Sequence, residues 1–320
     1  MIYTLTLNPA VDRELTVPEI AYDSVLRASH SQLDYGGKGF NVSRLLKGLG
    51  ARSTAVGFLG GKAGEILQEG LRALEIGTDF VWVTGETRTN VSIVTPAGGH
   101  YIKVNEKGPV IPPEKQAELL RKVESLACPG DWWVLAGSLP PGCPDDFYAQ
   151  IIRLLNDRGA RTLLDTSGEP LRLGCQEQPY LAKPNTEEAR MLTGLPVESL
   201  GEISLCAASV RELGVANVII SMGKAGALLQ TQESSWLVHS PAIVEKNPIG
   251  AGDSMVGGLV WALTVGHPLK EALGWGVASG AATASLRGTE VGSGPLIESL
   301  FTQIRFEPVA LPLDEVKSEG

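Results

Sequence analysis

Four cysteines, Cys128, Cys143, Cys175 and Cys206, are spread through 320 residues with no C-x-x-C pair, which supports neither a zinc site nor a dense disulfide framework. Thiols so placed are expected to be small buried hydrophobes. Histidine is equally scarce, at 30, 100, 239 and 267, and no H-E-x-x-H spacing occurs, so metalloprotease chemistry drops out. The absence of a G-x-S-x-G elbow removes the α/β-hydrolase reading. Without G-x-G-x-x-G there is no dinucleotide fingerprint, and no glycine-rich stretch is a Walker A loop. Basic residues are in deficit: 27 Lys and Arg against 36 Asp and Glu give a net charge of −9. That disfavours a nucleic-acid or anionic-membrane surface, and a phosphorylated ligand would need locally gathered cations. No apolar run approaches a membrane span, and the first residues read as a strand without a basic leader, so a cytoplasmic protein is expected.

What is present is ordinary globular material, 43% hydrophobic and 20% charged, enough to bury a large core. Apolar alternation marks strands at 2–7, 52–58, 132–136, 162–165 and 217–221. Helical stretches are expected at 40–49, 63–74, 113–126, 145–157, 186–192 and 205–213. Their alternation predicts an α/β fold with a mainly parallel sheet covered on both faces and ligands at the strands' carboxyl ends. Two segments break the rhythm, about 14–35 and 87–107, the second turning at Pro96-Ala97-Gly98-Gly99. Both are expected as antiparallel strands of a small sheet outside the main one, able to close over a substrate. Residues 1–310 are expected as one domain, and 311–320, with Asp314, Glu315, Lys317 and Glu319, as a frayed tail. Small residues after Asp253, among them Gly257, Gly258, Gly276 and Gly280, predict close helix packing.

Several segments carry chemistry. Gly250-Ala251-Gly252-Asp253 runs into an apolar helix, where backbone N–H groups can hold a phosphate. Asp253 is then either a helix cap or the base that takes a proton from an attacking hydroxyl. Gly36-Gly37-Lys38-Gly39-Phe40-Asn41 offers backbone donors, an ammonium and an amide before another helix, and reads equally as a plain tight turn. Asp12, after the turn-forming Asn8-Pro9, is an acceptor for sugar hydroxyls or an Asx-turn residue. Lys183-Pro184-Asn185-Thr186-Glu187-Glu188 is either a capping box or a nucleotide and magnesium site. Ser221, Gly223, Lys224 and Gly226 follow a strand and give a nucleotide a surface to lie against, and Gly137-Ser138 follows another.

In this order, these segments resemble the PfkB family of ribokinase-like carbohydrate kinases, in the branch holding 1-phosphofructokinase, tagatose-6-phosphate kinase and the minor 6-phosphofructokinase. The likeness runs from Thr4 to about Gly288. Its most specific element is Gly250-Ala-Gly-Asp253-Ser. Branch markers are Thr6 to Asp12, Thr87 to Asn90, Gly137 to Gly142, Asp165-Thr-Ser-Gly-Glu169 and Lys183-Pro-Asn185. The resemblance implies a three-layer α/β/α fold with a small antiparallel β lid. It implies Asp253 as catalytic base and Gly250, Ala251 and Gly252 as anion hole. Asp12, Gly37, Lys38 and Asn41 would hold the sugar, Arg88 and Ser138 its phosphate, with Arg27 and Lys103 as further phosphate partners. Lys183, Asn185, Ser221, Gly223, Lys224 and Gly226 would meet ATP, and Glu188 would reach Mg²⁺ through water. Cations at 27, 38, 88 and 103 favour a ketohexose phosphate, fructose 1-phosphate ranking ahead of tagatose 6-phosphate and fructose 6-phosphate. A sugar-phosphate-binding regulator without turnover is the alternative from another class. Relatives often pair through the small sheet, so a homodimer is implied there. One departure stands out: Asn247-Pro248-Ile249 precedes the glycines where many relatives carry Ser or Asp, then Thr, then a small residue.

Overall fold

A computed structural model describes residues 1–96 and 101–311. The chain opens with Ile2–Thr6 (β1), buried along its whole length as a strand covered on both faces must be. Ala10–Thr16 (β2), His30–Gly36 (β3), Lys38–Gly48 (α1), Ser53–Gly60 (β4), Gly61–Ala73 (α2) and Gly77–Val83 (β5) follow. Arg88–Val94 (β6) and Tyr101–Asn105 (β7) precede Pro113–Leu126 (α3), Trp132–Ala136 (β8), Phe147–Asp157 (α4), Arg161–Asp165 (β9) and Gly168–Gln176 (α5). Next come Leu181–Ala182 (β10), Thr186–Thr193 (α6), Leu200–Glu212 (α7), Asn217–Ser221 (β11), Ala227–Gln230 (β12) and Ser235–His239 (β13). Ala251–Thr264 (α8), Leu269–Ala284 (α9), Gly294–Phe301 (α10) and Arg305–Val309 (β14) complete the described chain.

Ten strands make one sheet in the order β14-β13-β12-β11-β10-β9-β8-β1-β4-β5. From β11 to β5 every pairing is parallel, and β12, β13 and β14 add an antiparallel edge. The alternation of β8 divides the core. Trp133 and Leu135 pack with Leu119, Val123 and Ile151 of α3 and α4, whereas Trp132 and Val134 join Val256, Leu259 and Leu273 of α8 and α9. Helices thus cover both faces, giving the three layers expected. The small residues of α8 and α9 do what their composition suggested. A Cβ at Gly258 would stand 2.1 Å from the Ser279 hydroxyl, so the two helices meet almost backbone to backbone.

The second sheet has the order β3-β2-β6-β7. Its outer pairs are antiparallel, but β2 and β6 run parallel, which corrects the expectation of a wholly antiparallel lid. The cause is topological: β2 continues from β1 and β6 follows β5, and β1 and β5 leave the main sheet in the same direction. The register assigns the two faces. Leu15, Leu33, Val91, Ile93, Ile102 and Val104 share one, and Asp12, Asp34, Arg88, Asn90, Lys103 and Asn105 share the other.

Other boundaries shifted for local reasons. Helix α7 begins at Leu200 rather than 205, because Ser199 and Glu202 form a capping box that starts it a turn earlier. Val309, at the end of the expected domain, belongs to β14 and packs on the core. The glycines of the 96–99 turn and the acidic tail residues Asp314, Glu315 and Glu319 lie outside the described residues. Cys175 and Cys206 are buried as expected, while Cys128 is exposed.

Candidate active site

Five adjacent strands end on one edge of the main sheet. Ser221 closes β11, Lys183 follows β10, Asp165 closes β9, Gly137 and Ser138 follow β8, and Asn8 follows β1. At about 4.8 Å per strand this row is roughly 19 Å long, room for two substrates end to end.

Helix α8 points its N-terminus at the row. Its N-cap is Gly250, held at φ 79°, a left-handed conformation that disfavours any side chain, and no side chain caps the helix. Ala251 N–H donates to the Pro248 carbonyl at 3.2 Å, and the first turn keeps the N–H groups of Gly250 and Gly252 for an anion. Asp253 is the third residue of the helix and is not its cap, which separates the two readings of the sequence. Its carboxylate is buried and accepts a hydrogen bond from Asn41 Nδ2 of α1 at 2.8 Å. Burial, reinforced by the negative charge of Asp165, pushes its pKa up to about 6 against the pull of Asn41, Lys38 and Lys183. A carboxylate of that basicity is ionised at neutral pH yet accepts a proton readily. If Asp253 works as a base, kcat falls roughly tenfold per unit as pH drops below about 6. A pH–rate profile at saturating substrates measures it, and a flat profile down to pH 5 would contradict the role.

The departure before this turn is structural. Asn247 Oδ1 accepts from Ile249 N–H at 3.0 Å, and its Nδ2 donates to the Gly288 carbonyl at 2.6 Å, so this side chain braces the turn against the loop after α9.

The small sheet supplies a second wall. Asp12 sits within β2, not in a turn, and accepts from Asn90 Nδ2 at 2.7 Å. Burial raises its pKa, opposed by Asn90, Lys103 and Arg88. Arg88 donates from Nη2 to the Asn8 carbonyl at 2.9 Å and from Nη1 to that of Glu106 at 3.2 Å. Its Nε is buried without a partner, as are Thr6 Oγ1, Asn8 Oδ1 and Asn90 Oδ1. Buried polar atoms left open in this way call for a ligand or ordered water. Asn8, passed over in the sequence as part of a turn, is central: its Nδ2 reaches the carbonyls of Lys107 at 3.1 Å and Leu139 at 3.5 Å, tying three segments together. Lys38, the first residue of α1, donates to Asp165 Oδ1 at 3.1 Å. Ser138 is exposed on the loop beside Leu139. Arg27 is not gathered in; it lies on the exposed stretch between β2 and β3 without a hydrogen bond or ion pair among the described residues.

On the other half, Lys183 is buried, its ammonium 3.4 Å from Asp165 Oδ1. The capping box of α6 does form: Asn185 Oδ1 accepts from Glu188 N–H and Glu188 Oε2 from Asn185 N–H, both at 2.8 Å. That leaves Asn185 Nδ2 and Glu188 Oε1 for other duty. Asn185 also bridges to Ser221. Gly223 opens a single 3₁₀ turn that Gly226 ends, and Lys224 projects outward 3.5 Å from Glu245. Asp165, quoted in the sequence only as a marker, stands between the halves.

The family model described as "pfkB family carbohydrate kinase" matches residues 5–294. The chain is 38% identical over 305 residues to a 1-phosphofructokinase of Bacillus subtilis, covering 95% of this chain and 99% of that one. It is 35% identical over 262 residues to a tagatose-6-phosphate kinase of Staphylococcus epidermidis, covering 81% and 84%. Among solved structures, phosphofructokinase-2 from Escherichia coli in complex with potassium superposes with a TM-score of 0.90 at 30% identity, over 94% of this chain and 98% of that one.

Proposed function

The chain belongs to the pfkB family of carbohydrate kinases, and on that premise we propose that it moves the γ-phosphoryl group of ATP onto a hydroxyl of a ketohexose phosphate, fructose 1-phosphate first among the candidates. One observation carries this reading: a buried, basic Asp253 in the first turn of a helix that no side chain caps. Base and anion hole share one turn.

The acceptor sugar is held between Asp12, Asn41 and the Gly37–Lys38 turn. Its phosphate is met by the open Nε of Arg88 and by Lys103, on the same face of the small sheet, and by Ser138 after β8. Lys183, Asn185, Ser221, Gly223 and Gly226 take the nucleotide, with Lys224 at its exposed rim. Asp253 accepts the proton of the attacking hydroxyl as its oxygen bonds to the γ-phosphorus. The bond from that phosphorus to the β–γ bridging oxygen breaks, and ADP leaves with the electron pair. Gly250 and Gly252, on either side of Ala251, present backbone donors to the charge gathering on the moving phosphoryl. Mg²⁺ supplies charge neutralisation on the nucleotide's phosphates when bound; Glu188 Oε1 suits a water of its shell. No cluster of three or more His, Cys, Asp or Glu ligands occurs among the described residues, and Mg²⁺, which keeps its waters and takes phosphate oxygens, needs none.

A coupled ADP-release assay tests the reading. Fructose 1-phosphate is expected to give the highest kcat/KM, ahead of tagatose 6-phosphate and fructose 6-phosphate, with unphosphorylated fructose poorest. ADP release with none of the four would overturn it.

The small sheet serves as the lid in this reading, and its apolar face is the surface for a second copy. Leu33 and Val104 are about half exposed on it, flanked by Leu15, Val91, Ile93 and Ile102. Leu33→Glu with Val104→Glu is expected to convert a dimer into monomer by light scattering, and an unchanged mass would refute pairing there. No described helix is long and apolar enough to cross a membrane. With ATP as donor and all four thiols unpaired, the reaction belongs in the cytoplasm.

A further inference from the structure

Asp165 has no part in the transfer just described, yet it occupies the middle of the site. It closes β9, between β8, which leads to Ser138, and β10, which leads to Lys183. Its backbone is stitched to both neighbours: its carbonyl accepts from Gly137 N–H at 3.0 Å, and Lys183 N–H donates to the preceding Leu164 carbonyl at 3.0 Å. The side chain is only 2% exposed. A single oxygen, Oδ1, faces Lys38 Nζ at 3.1 Å and Lys183 Nζ at 3.4 Å. The two ammonium groups therefore stand no more than about 6.5 Å apart, the sum of those distances. One lysine belongs to the acceptor half and the other to the nucleotide half.

Two cations this close repel, and a buried lysine without a counter-ion tends to lose its proton or leave the interior. We infer that Asp165 is a positioning residue, a buried counter-ion that holds Lys38 and Lys183 on one oxygen and so fixes the spacing between the acceptor-sugar site and the nucleotide site. This rests on the kinase reading and gives it a mechanical element. The sugar and the nucleotide thus each meet a lysine already aimed by the same carboxylate oxygen. The ionisation states agree: burial alone would raise the Asp165 pKa, but Lys183 and then Lys38 outweigh it and hold it low. Lys38, whose burial would depress it, is held high by Asp165, with Asp253 and Glu188 adding to that.

The arrangement predicts coupling that simple support of the fold would not produce. In the intact enzyme, Lys38→Met and Lys183→Met each leave Asp165 one cation, whereas together they leave a buried carboxylate with none. The combined loss in kcat/KM is expected to exceed the product of the single losses by about tenfold. In an Asp165→Asn background the two losses are expected to multiply simply. Asp165→Asn by itself is expected to move the acid limb of kcat to lower pH by roughly half a unit or more, since it removes a negative charge facing Asp253 while Lys38, Lys183 and Asn41 remain. Simple multiplication in the intact enzyme, or an unmoved limb in Asp165→Asn, would overturn the inference. Should Asp165→Asn not fold, the lysine cycle in the intact background decides alone. A wild-type enzyme that turns over none of the sugars would instead defeat the kinase reading, so the two failures are distinct.

Discussion

Asp253→Asn is expected to lower kcat by about a hundred- to ten-thousand-fold, the range for loss of a positioned base. The amide fits the same space and can still accept from Asn41 through its oxygen, so α8 and the anion turn stay in place. Sugar-phosphate and nucleotide affinity, read by calorimetry, should change little. Stability should rise. Folding lifts the Asp253 pKa from its usual 3.8 to about 6, so the native state binds that proton more tightly than the unfolded chain does. The cost of ionising it is absent below about pH 4 and complete above about pH 6, on the order of 3 kcal/mol. At pH 8 the variant should therefore melt above the wild type, and at pH 4 the advantage should vanish. Near-normal turnover would end the assignment. A lower melting temperature at pH 8 would show that the carboxylate is not the strained group its burial implies.

Arg88→Met is the second large effect. The guanidinium is pinned by two carbonyls, those of Asn8 and Glu106, and its buried Nε has no protein partner. A hydrogen bond between charged groups contributes about 1.5–3 kcal/mol, and removing it leaves a buried phosphate edge short of a donor. KM for the sugar phosphate should rise about 10- to 100-fold while KM for ATP stays within about twofold. Unphosphorylated fructose, which has no phosphate to lose, should be used equally by both enzymes. Arg88→Lys should recover little, because an ammonium cannot hold two carbonyls and a phosphate at fixed angles. An unchanged KM for the sugar phosphate, or an equal rise for fructose, would remove Arg88 from phosphate recognition.

The parts of this molecule legible in its sequence are those set by local pattern. Trp132–Ala136, Asn217–Ser221 and Pro113–Leu126 fall where periodicity put them, because a buried strand and an amphipathic helix each write their period into adjacent residues. The antiparallel edge strands β12, β13 and β14 are short and flanked by polar turns, so their pattern is too brief to separate from loop. The direction of β6 beside β2 depends on where β1 and β5 leave the main sheet, which no local window contains. The site shows the same division. Gly250 to Asp253 is contiguous and was readable, whereas the bond from Asn41 to Asp253 spans 212 positions and that from Lys38 to Asp165 spans 127. Asn8 and Asp165 were visible as residues but not as junctions, since a junction is defined by partners the chain brings in from elsewhere. Arg27 erred the opposite way: a suitable charge in the right region, left in solvent by the long connection between β2 and β3.

The chain passes from β1 into β2 through three residues, Leu7, Asn8 and Pro9, and so from the floor of the pocket to its cover. Asp12, Arg88 and Asn90 ride on the cover, while Lys38, Asn41 and Asp253 belong to the floor. A sugar phosphate held as proposed would span both, so its length would have to match the separation of the two walls. Recognition on this plan does not require a residue that tells one ketohexose from another by touch. On the proposed reading, a substrate too short, or bent at the wrong carbon, would satisfy either wall alone and leave Asp253 wet.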